Sequence, residues 1–243
     1  SSNISMDHIA TLTQILRRPP MIWDNLHAND YDGHRFYCGP YSGRPLELRH
    51  AVSGIMHNPN NEAPLNYVPW TTLSDYIHAK EDWNPRESYL QAMKSWHAHF
   101  ESAGLPISFD DLVLLGDSFY LPEEDGIEAS KLFTVANQWL KVAPSQRQEH
   151  FAGVKQPVTR LRSVCAELVN LKDRSLFSAL HRKTWDLREE MELILTCGQH
   201  MESNPTARLH SDFHLPGTYR GGMVSKLRGL LKQQSDGTFI PEK

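Results

Sequence analysis

The sequence predicts an α/β region followed by an all-α helical bundle. In the first region, short apolar runs alternate with helical patterns, and two of these runs end abruptly in polar residues. Such alternation is typical of βα units around a parallel sheet. From about residue 83 onward, apolar residues recur at helical spacing without strand alternation. We therefore expect two domains, residues 1–82 and residues 83–243, the second folded as an antiparallel bundle.

The first region begins with a predicted helix. Ser5 is a candidate N-cap, and apolar residues follow it at helical spacing. Arg17 and Arg18 fall in the predicted last turn, where positive charge suits the helix dipole. Pro19 and Pro20 then end the helix.

Three short apolar runs are predicted strands, and the first is predicted to be buried. The strands are Met21-Ile22-Trp23, Ile55-Met56 and Asn66-Tyr67-Val68, with helices predicted over residues 45–52 and 72–79. Polar residues follow the first two strands directly. Because function gathers at the carboxyl ends of parallel strands, we expect residues 24–32 and 57–60 to lie at a site.

The bundle is predicted to begin with a capped helix. Asn84-Pro85-Arg86-Glu87 combines a capping box with proline at the first helical position. Ser108 and Asp111 mark the next helix start. Four apolar stripes predict the remaining helices, through residues 132–140, 158–171, 176–195 and 223–230.

Composition excludes several classes of protein. The net charge is −4, so no basic surface indicates a nucleic-acid partner. No apolar run approaches the roughly 18 residues that span a bilayer, so we expect no membrane partner. The cysteines, Cys38, Cys165 and Cys197, are far apart and form no CxxC pair, which favours a reducing compartment over a disulfide framework or a zinc site.

The polar segment over residues 23–32 is the strongest candidate site. It places carboxylates, carboxamides and aromatic rings at the end of a predicted strand. A sugar pocket needs that mixture, because carboxylates accept hydrogen bonds from hydroxyls and amides both donate and accept. A polar surface loop with capping residues explains the composition equally well.

A family resemblance favours the sugar pocket. Residues 20–32, Pro-Met-Ile-Trp-Asp-Asn-Leu-His-Ala-Asn-Asp-Tyr-Asp, resemble the signature stretch of animal O-GlcNAcases, a hexosaminidase family with a TIM-barrel catalytic domain. The resemblance continues in order through nearly the whole chain, in residues 39–44, 58–60, 111–112, 119–122, 138–140 and 219–222. It implies that residues 1–82 are the C-terminal part of a (β/α)8 barrel and that residues 83–243 are a helical stalk.

The resemblance also implies site residues. By matching position, Asn25, Asp30 and Asn58 are expected to bind sugar hydroxyls. Trp23 is expected to form part of the wall around the N-acetyl group, and Tyr31 is expected to line the cleft for the modified peptide. The alternative for Tyr31 is a packed surface tyrosine.

The implied reaction is substrate-assisted hydrolysis of O-linked N-acetylglucosamine from serine and threonine. One aspartate orients the 2-acetamido group, whose oxygen attacks the anomeric carbon. A second aspartate acts first as general acid and then as general base. This mechanism is an exception to the usual retaining scheme, because the nucleophile comes from the substrate. The family's aspartate pair lies upstream of the segment with which this sequence begins, so we expect no catalytic residue here. No cofactor and no metal are expected.

The expected partners follow from the same resemblance. They are O-GlcNAc-modified proteins, the N-terminal barrel portion and a second copy bound through the stalk, in the cytoplasm and nucleus. In the family, the stalk of one subunit covers the partner's cleft, so Trp139 could face the partner's peptide; the alternative is a core tryptophan. A non-catalytic dimerisation or carbohydrate-binding module is the second functional hypothesis.

Three further patterns are interpreted as structural. Phe109-Asp110-Asp111 mimics the family's aspartate pair, but Ser108 precedes it and an apolar helix follows, which indicates a helix start. His210, Asp212 and His214 fit no familiar zinc spacing and are interpreted as solvated. Cys38 has no His or Asp partner predicted from spacing.

Overall fold

A computed structural model describes residues 3–203, 209–210 and 222–241 of the chain. Within these ranges the protein is rich in helix and has few strands. The helices are α1 (Met6–Leu16), α2 (Leu48–Ala51), α3 (Tyr67–His78), α4 (Pro85–Trp96), α5 (Phe109–Ser118), α6 (Ile127–Lys141), α7 (Arg147–Glu167), α8 (Arg174–Ser203) and α9 (Gly222–Arg228). The strands are β1 (Met21–Asp24), β2 (Gly54–His57), β3 (Leu209–His210), β4 (Leu231–Gln233) and β5 (Thr238–Pro241). Short 3-10 turns cover Ala63–Asn66, His97–Phe100, Pro144–Gln146 and Leu168–Asn170.

The first helix begins where its cap predicts. The Ser5 hydroxyl accepts a hydrogen bond from the His8 amide at 3.3 Å, which satisfies one of the free N–H groups of the first turn. The predicted helix is too long by two residues at its C-terminal end. Arg17 adopts left-handed backbone at φ 54° and is the C-cap, so neither arginine lies in the last turn.

The first two predicted strands pair in parallel, as βα units require. Met21 lies opposite Gly54 and Asp24 lies opposite His57. The prediction of a buried first strand is wrong for this chain. Met21 is 60% exposed and Trp23 is 64% exposed, because no other element in the described part of the chain covers that face of the two-stranded sheet.

The third predicted strand is also wrong, because residues 66–68 lie in the 3-10 turn and the start of α3. The Asn66 side chain bonds the backbone of Asn60 in both directions, at 2.9 Å and 2.8 Å, which curls the chain. Pro69 then falls in the first turn of α3, where its missing N–H costs little.

The helix starts of the bundle match their predicted caps. The Asn84 side-chain oxygen accepts from the amides of Arg86 and Glu87 at 3.1 Å and 3.2 Å, with Pro85 at the first helical position. The long helices α7 and α8 pack on each other as a hairpin around the turn at Leu168–Asn170.

The expectation that the second region contains no strand is wrong. β3, β5 and β4 form an antiparallel sheet in that order. The turn between β4 and β5 contains Asp236-Gly237, with Gly237 at φ 80°, a conformation that glycine adopts without strain.

The two predicted domains share one hydrophobic core. Its buried side chains come from both sides of position 82, from Leu26 and Phe36 to Leu231 and Phe239. The backbone joins them as well, since the Cys38 amide donates to the Phe119 carbonyl at 2.7 Å. In the described residues, no helix has the length and hydropathy that crossing a membrane requires.

Candidate functional site

The two predicted polar segments meet at one edge of the β1–β2 sheet. Because Asp24 and His57 are opposite each other in parallel strands, the residues that follow them leave the sheet side by side. The Asn58 amide donates to the Asp24 carbonyl at 2.8 Å. The Asn58 side chain donates to Asn25 Oδ1 at 3.0 Å.

Three of the predicted sugar-site residues form a bonded set. Asn25 Oδ1 accepts from both Asn58 Nδ2 and, at 2.8 Å, Trp23 Nε1. Its carbonyl oxygen is therefore occupied twice, while Asn25 Nδ2 has no partner among the described residues. The exposed indole of Trp23 and an amide with free donors offer an apolar wall beside a hydrogen-bonding group.

Asp30 and Tyr31 lie on the same loop but outside this bonded set. The Asp30 side chain is exposed, and its carboxylate has no protein partner in the described part of the chain. The Tyr31 hydroxyl lies 2.6 Å from that of Tyr37, and its ring is partly exposed. The loop thus presents a carboxylate to solvent next to a ring that a neighbouring tyrosine holds.

A buried ion pair anchors the base of this loop. Asp24 ends β1 and accepts from Arg44 Nε at 2.7 Å, from Arg44 Nη2 at 2.5 Å and from the Tyr41 hydroxyl at 2.7 Å. Burial raises the pKa of the Asp24 carboxyl, but the bonds from Arg44 and Tyr41 outweigh it and hold that pKa below its usual range. Sequence reasoning missed these roles, because the partners are 17 and 20 residues away from Asp24.

Two histidines form a second support beneath the site. His27 Nδ1 lies 2.9 Å from His57 Nε2, and His27 Nε2 lies 2.9 Å from the Gly39 carbonyl. Since a carbonyl only accepts, His27 Nε2 donates to it and His27 Nδ1 accepts from His57. Burial lowers the pKa of His27 to about 3 and that of His57 to about 4, so both rings are neutral at pH 7.

The Asp110-Asp111 pair lies at a helix start, as predicted. The Ser108 hydroxyl accepts from the Asp111 amide at 3.2 Å and donates to Asp111 Oδ2 at 2.7 Å. Asp111 Oδ1 accepts from Arg160 Nε at 2.7 Å. Capping and an ion pair therefore account for Asp111 without a catalytic role.

Trp139 lies in the core of the helical bundle. Its side chain is 1% exposed, packs against the Phe151 ring at a tilt of 35° and donates to the Arg147 carbonyl at 3.1 Å. Reaching a partner's peptide would require this packing to open. This packing favours the interpretation of Trp139 as a core tryptophan.

The remaining predictions concern a metal site and a reactive thiol. Asp212 and His214 lie outside the described residues, as does the side chain of His210. Among the residues that the structure describes, no three His, Cys, Asp or Glu side chains are grouped to hold a metal ion. Burial raises the pKa of the Cys38 thiol well above its usual range, so that thiol is a core group.

The sequence is similar to known glycoside hydrolases. Residues 1–106 match the beta-N-acetylglucosaminidase family of glycoside hydrolases. Over 76 residues the chain is 45% identical to Protein O-GlcNAcase of Rattus norvegicus and to Protein O-GlcNAcase of Mus musculus. That stretch is 31% of this chain and 8% of each relative. The resemblance to O-GlcNAcases that the sequence predicts is confirmed.

Solved structures agree at the level of the fold. The structure of CpGH84B matches with a TM-score of 0.64 at 14% identity, over 83% of this chain and 35% of that chain. A mutant of the Thermobaculum terrenum O-GlcNAc hydrolase matches with a TM-score of 0.60 at 19% identity, over 84% of this chain and 42% of that chain. This chain therefore spans less than half the length of each.

Proposed function

We propose that this chain is part of a glycoside hydrolase that removes O-linked N-acetylglucosamine from serine and threonine of proteins. Residues 1–82 are then the C-terminal part of a (β/α)8 barrel, and residues 83–243 are a stalk that dimerises. The observation that carries the proposal is the bonded set of Trp23, Asn25 and Asn58 at the carboxyl ends of β1 and β2. It lies in the segment that matches the beta-N-acetylglucosaminidase family.

The bonding capacity of each side chain suits a sugar ligand. With Oδ1 of Asn25 already accepting twice, its amide nitrogen remains to donate to a hydroxyl oxygen. The carboxylate of Asp30 accepts from hydroxyl groups, and charge strengthens those bonds. The exposed indole of Trp23 packs on the methyl of the N-acetyl group, and Tyr31 lines the approach for the peptide.

The division of labour in the proposed reaction follows from these roles. Asn25, Asp30 and Asn58 bind and orient the sugar, while two aspartates in the upstream barrel portion carry out the chemistry. One of them orients the 2-acetamido group for attack on the anomeric carbon. The other protonates the leaving serine or threonine oxygen and then activates water.

The uncovered face of the sheet supports an upstream barrel portion as a partner. A complete (β/α)8 barrel needs roughly 200 residues or more, and its inner face is filled by side chains from all strands. Met21, Trp23 and Met56 share the exposed face of β1 and β2. O-GlcNAc-modified proteins and a second copy of this chain are the other proposed partners, in the cytoplasm and nucleus.

Substitution of Asp30 tests the proposal. In the protein that carries the upstream portion, Asp30→Ala should reduce kcat/KM for a chromogenic N-acetylglucosaminide about tenfold to hundredfold, since a charged hydrogen bond contributes about 1.5–3 kcal/mol. Because Asp30 is exposed and unpaired in the described chain, thermal stability should stay unchanged. Unchanged turnover would refute the assignment.

The non-catalytic alternative is separated by a complementation assay. This chain and a separately supplied N-terminal portion are assayed for hydrolysis alone and together. Activity that requires both supports the proposed division of labour. Binding of N-acetylglucosamine without hydrolysis in the combined sample supports a carbohydrate-binding module instead.

A further inference from the structure

Helix α8 carries buried charged side chains on the face that meets the first region. Lys183 is 2% exposed, and Asp186 is also buried. Ionised side chains are seldom fully buried unless they are paired. Their partners therefore identify the segments of the first region that this face of α8 contacts.

The buried ammonium of Lys183 contacts both site loops. Its Nζ lies 2.8 Å from Glu62 Oε1, in the segment after β2. It donates to the Gly33 carbonyl at 3.3 Å, in the segment after β1. One charged atom from the bundle is thus shared between the two loops that leave the sheet.

Glu62 connects Lys183 to Asn29, the residue that precedes Asp30. Its second oxygen accepts from Asn29 Nδ2 at 3.1 Å. Asn29 is buried, donates also to the Arg35 carbonyl at 2.9 Å, and accepts from the Asn61 amide at 2.8 Å. Asn29 therefore has all its side-chain bonding atoms committed, and the neighbouring Asp30 projects from a fixed backbone.

A second contact between α8 and the first region lies one turn further along the same helix. Asp186 Oδ2 is 3.2 Å from His34 Nδ1, outside hydrogen-bond geometry. Residues three apart share a helix face, so Lys183 and Asp186 contact the same segment of chain.

We propose that Lys183 is a positioning residue for the sugar-binding loops: through Glu62 and Asn29 it fixes the backbone that presents Asp30. This inference rests on the proposed function, because it assigns Lys183 a role in sugar binding. The bundle then contributes to the site of its own chain, in addition to any role in dimerisation.

The test replaces Lys183 by methionine, which keeps length and removes the charge. Glu62 then loses its cation and turns to solvent, and Asn29 Nδ2 loses an acceptor. In the protein with its upstream portion, we expect KM for a chromogenic N-acetylglucosaminide to rise roughly tenfold, with kcat changed less than about twofold. Partial unfolding alone would lower kcat and leave KM unchanged.

A second readout follows the loop directly. The Asn61 amide bonds Asn29 Oδ1, so its hydrogen exchange should accelerate about tenfold in Lys183→Met. Lys131→Met is the matched control, because Lys131 pairs with Glu128 on the exposed face of α6. Glu62→Gln is a milder variant that keeps an acceptor for Asn29, and it should shift KM in the same direction by less.

The outcomes distinguish this inference from the proposed function. Unchanged exchange at Asn61, or an unchanged KM in both Lys183→Met and Glu62→Gln, would overturn the role of Lys183. A wild-type protein that hydrolyses no N-acetylglucosaminide would overturn the proposed function instead. The exchange rates would then still decide whether Lys183 holds the loops.

Discussion

Arg44 donates hydrogen bonds to both carboxylate oxygens of Asp24 at the carboxyl end of β1. The two bonds measure 2.7 Å and 2.5 Å, and each side chain is almost completely buried. Asp24 directly precedes Asn25, so this ion pair fixes the position from which the candidate sugar-binding loop departs. The Tyr41 hydroxyl and the Leu26 amide also donate to the carboxylate, at 2.7 Å and 3.1 Å.

Removing one partner of this pair should destabilise the protein strongly. Arg44→Met leaves the Asp24 carboxylate buried without a cation, which typically costs about 3–5 kcal/mol. The free energy of unfolding in urea measures the loss. Arg162→Met is the control, since its pair with Glu192 is exposed and contributes less than about 1 kcal/mol. Equal losses in the two variants would contradict a structural role for the buried pair.

The neutral pair of His27 and His57 should make stability depend on pH. Burial lowers both pKa values, to about 3 and about 4, whereas an unfolded histidine has a pKa near 6.5. The unfolded chain therefore binds more protons below about pH 6.5, and stability is full above that pH and falls as the pH decreases. At pH 5 the loss is about 2 kcal/mol for each histidine.

Urea unfolding at pH 7 and pH 5 checks this expectation. His57→Gln retains an amide donor for His27 and removes one titrating group, so the loss between the two pH values should fall to about half. His8→Gln changes an exposed histidine of α1 and should leave the loss as in the wild type. A wild-type stability that is equal at both pH values would show that the pair is not held neutral.

The Asp110-Asp111 pair should affect stability and leave catalysis intact. Asp111→Asn weakens the bond with Ser108 and the ion pair with Arg160, which should cost roughly 0.5–2 kcal/mol. Because both contacts belong to the start of α5, kcat in the protein with its upstream portion should change less than about twofold. A thermal melt and a turnover assay on the same sample measure both quantities. A large loss of kcat without loss of stability would contradict the structural role and indicate that this pair is catalytic.

Local signals in the sequence predicted where α1, α4 and α5 begin and which two strands pair in parallel. Caps such as Ser5, Asn84 and Ser108 act through bonds to residues two or three positions away, so their patterns are visible in the sequence. The hairpin of β4 and β5 carried the local signal Asp236-Gly237, which sequence reasoning missed. Residues 66–68 do not form the predicted third strand. The bond between the Asn66 side chain and Asn60 favours a curled backbone over an extended one.

The support of the candidate site could not be predicted in the same way. Asp24 and Arg44 are 20 residues apart, and no sequence pattern specifies which of several arginines faces a buried carboxylate. Glu62 and Lys183 belong to different predicted domains and meet only after the bundle has packed on the first region. Sequence resemblance indicated candidate sugar-binding side chains, but the contacts that hold their backbone depend on tertiary packing between distant residues.

The exposed face of β1 and β2 gives the last prediction. Met21 and Met56 lie on this face, and the proposed upstream strands would bury both. Lysine at Met21 and Met56 should increase the soluble yield of this chain expressed alone, because charge disfavours association of an uncovered apolar sheet. The same variant should fail to restore hydrolysis with a separately supplied N-terminal portion, since burying an unpaired ammonium costs several kcal/mol.

Leu105→Lys is the matched control: Leu105 is 72% exposed and lies outside this sheet, so complementation should proceed as in the wild type. Full complementation by the double-lysine variant would show that the upstream portion does not cover this face.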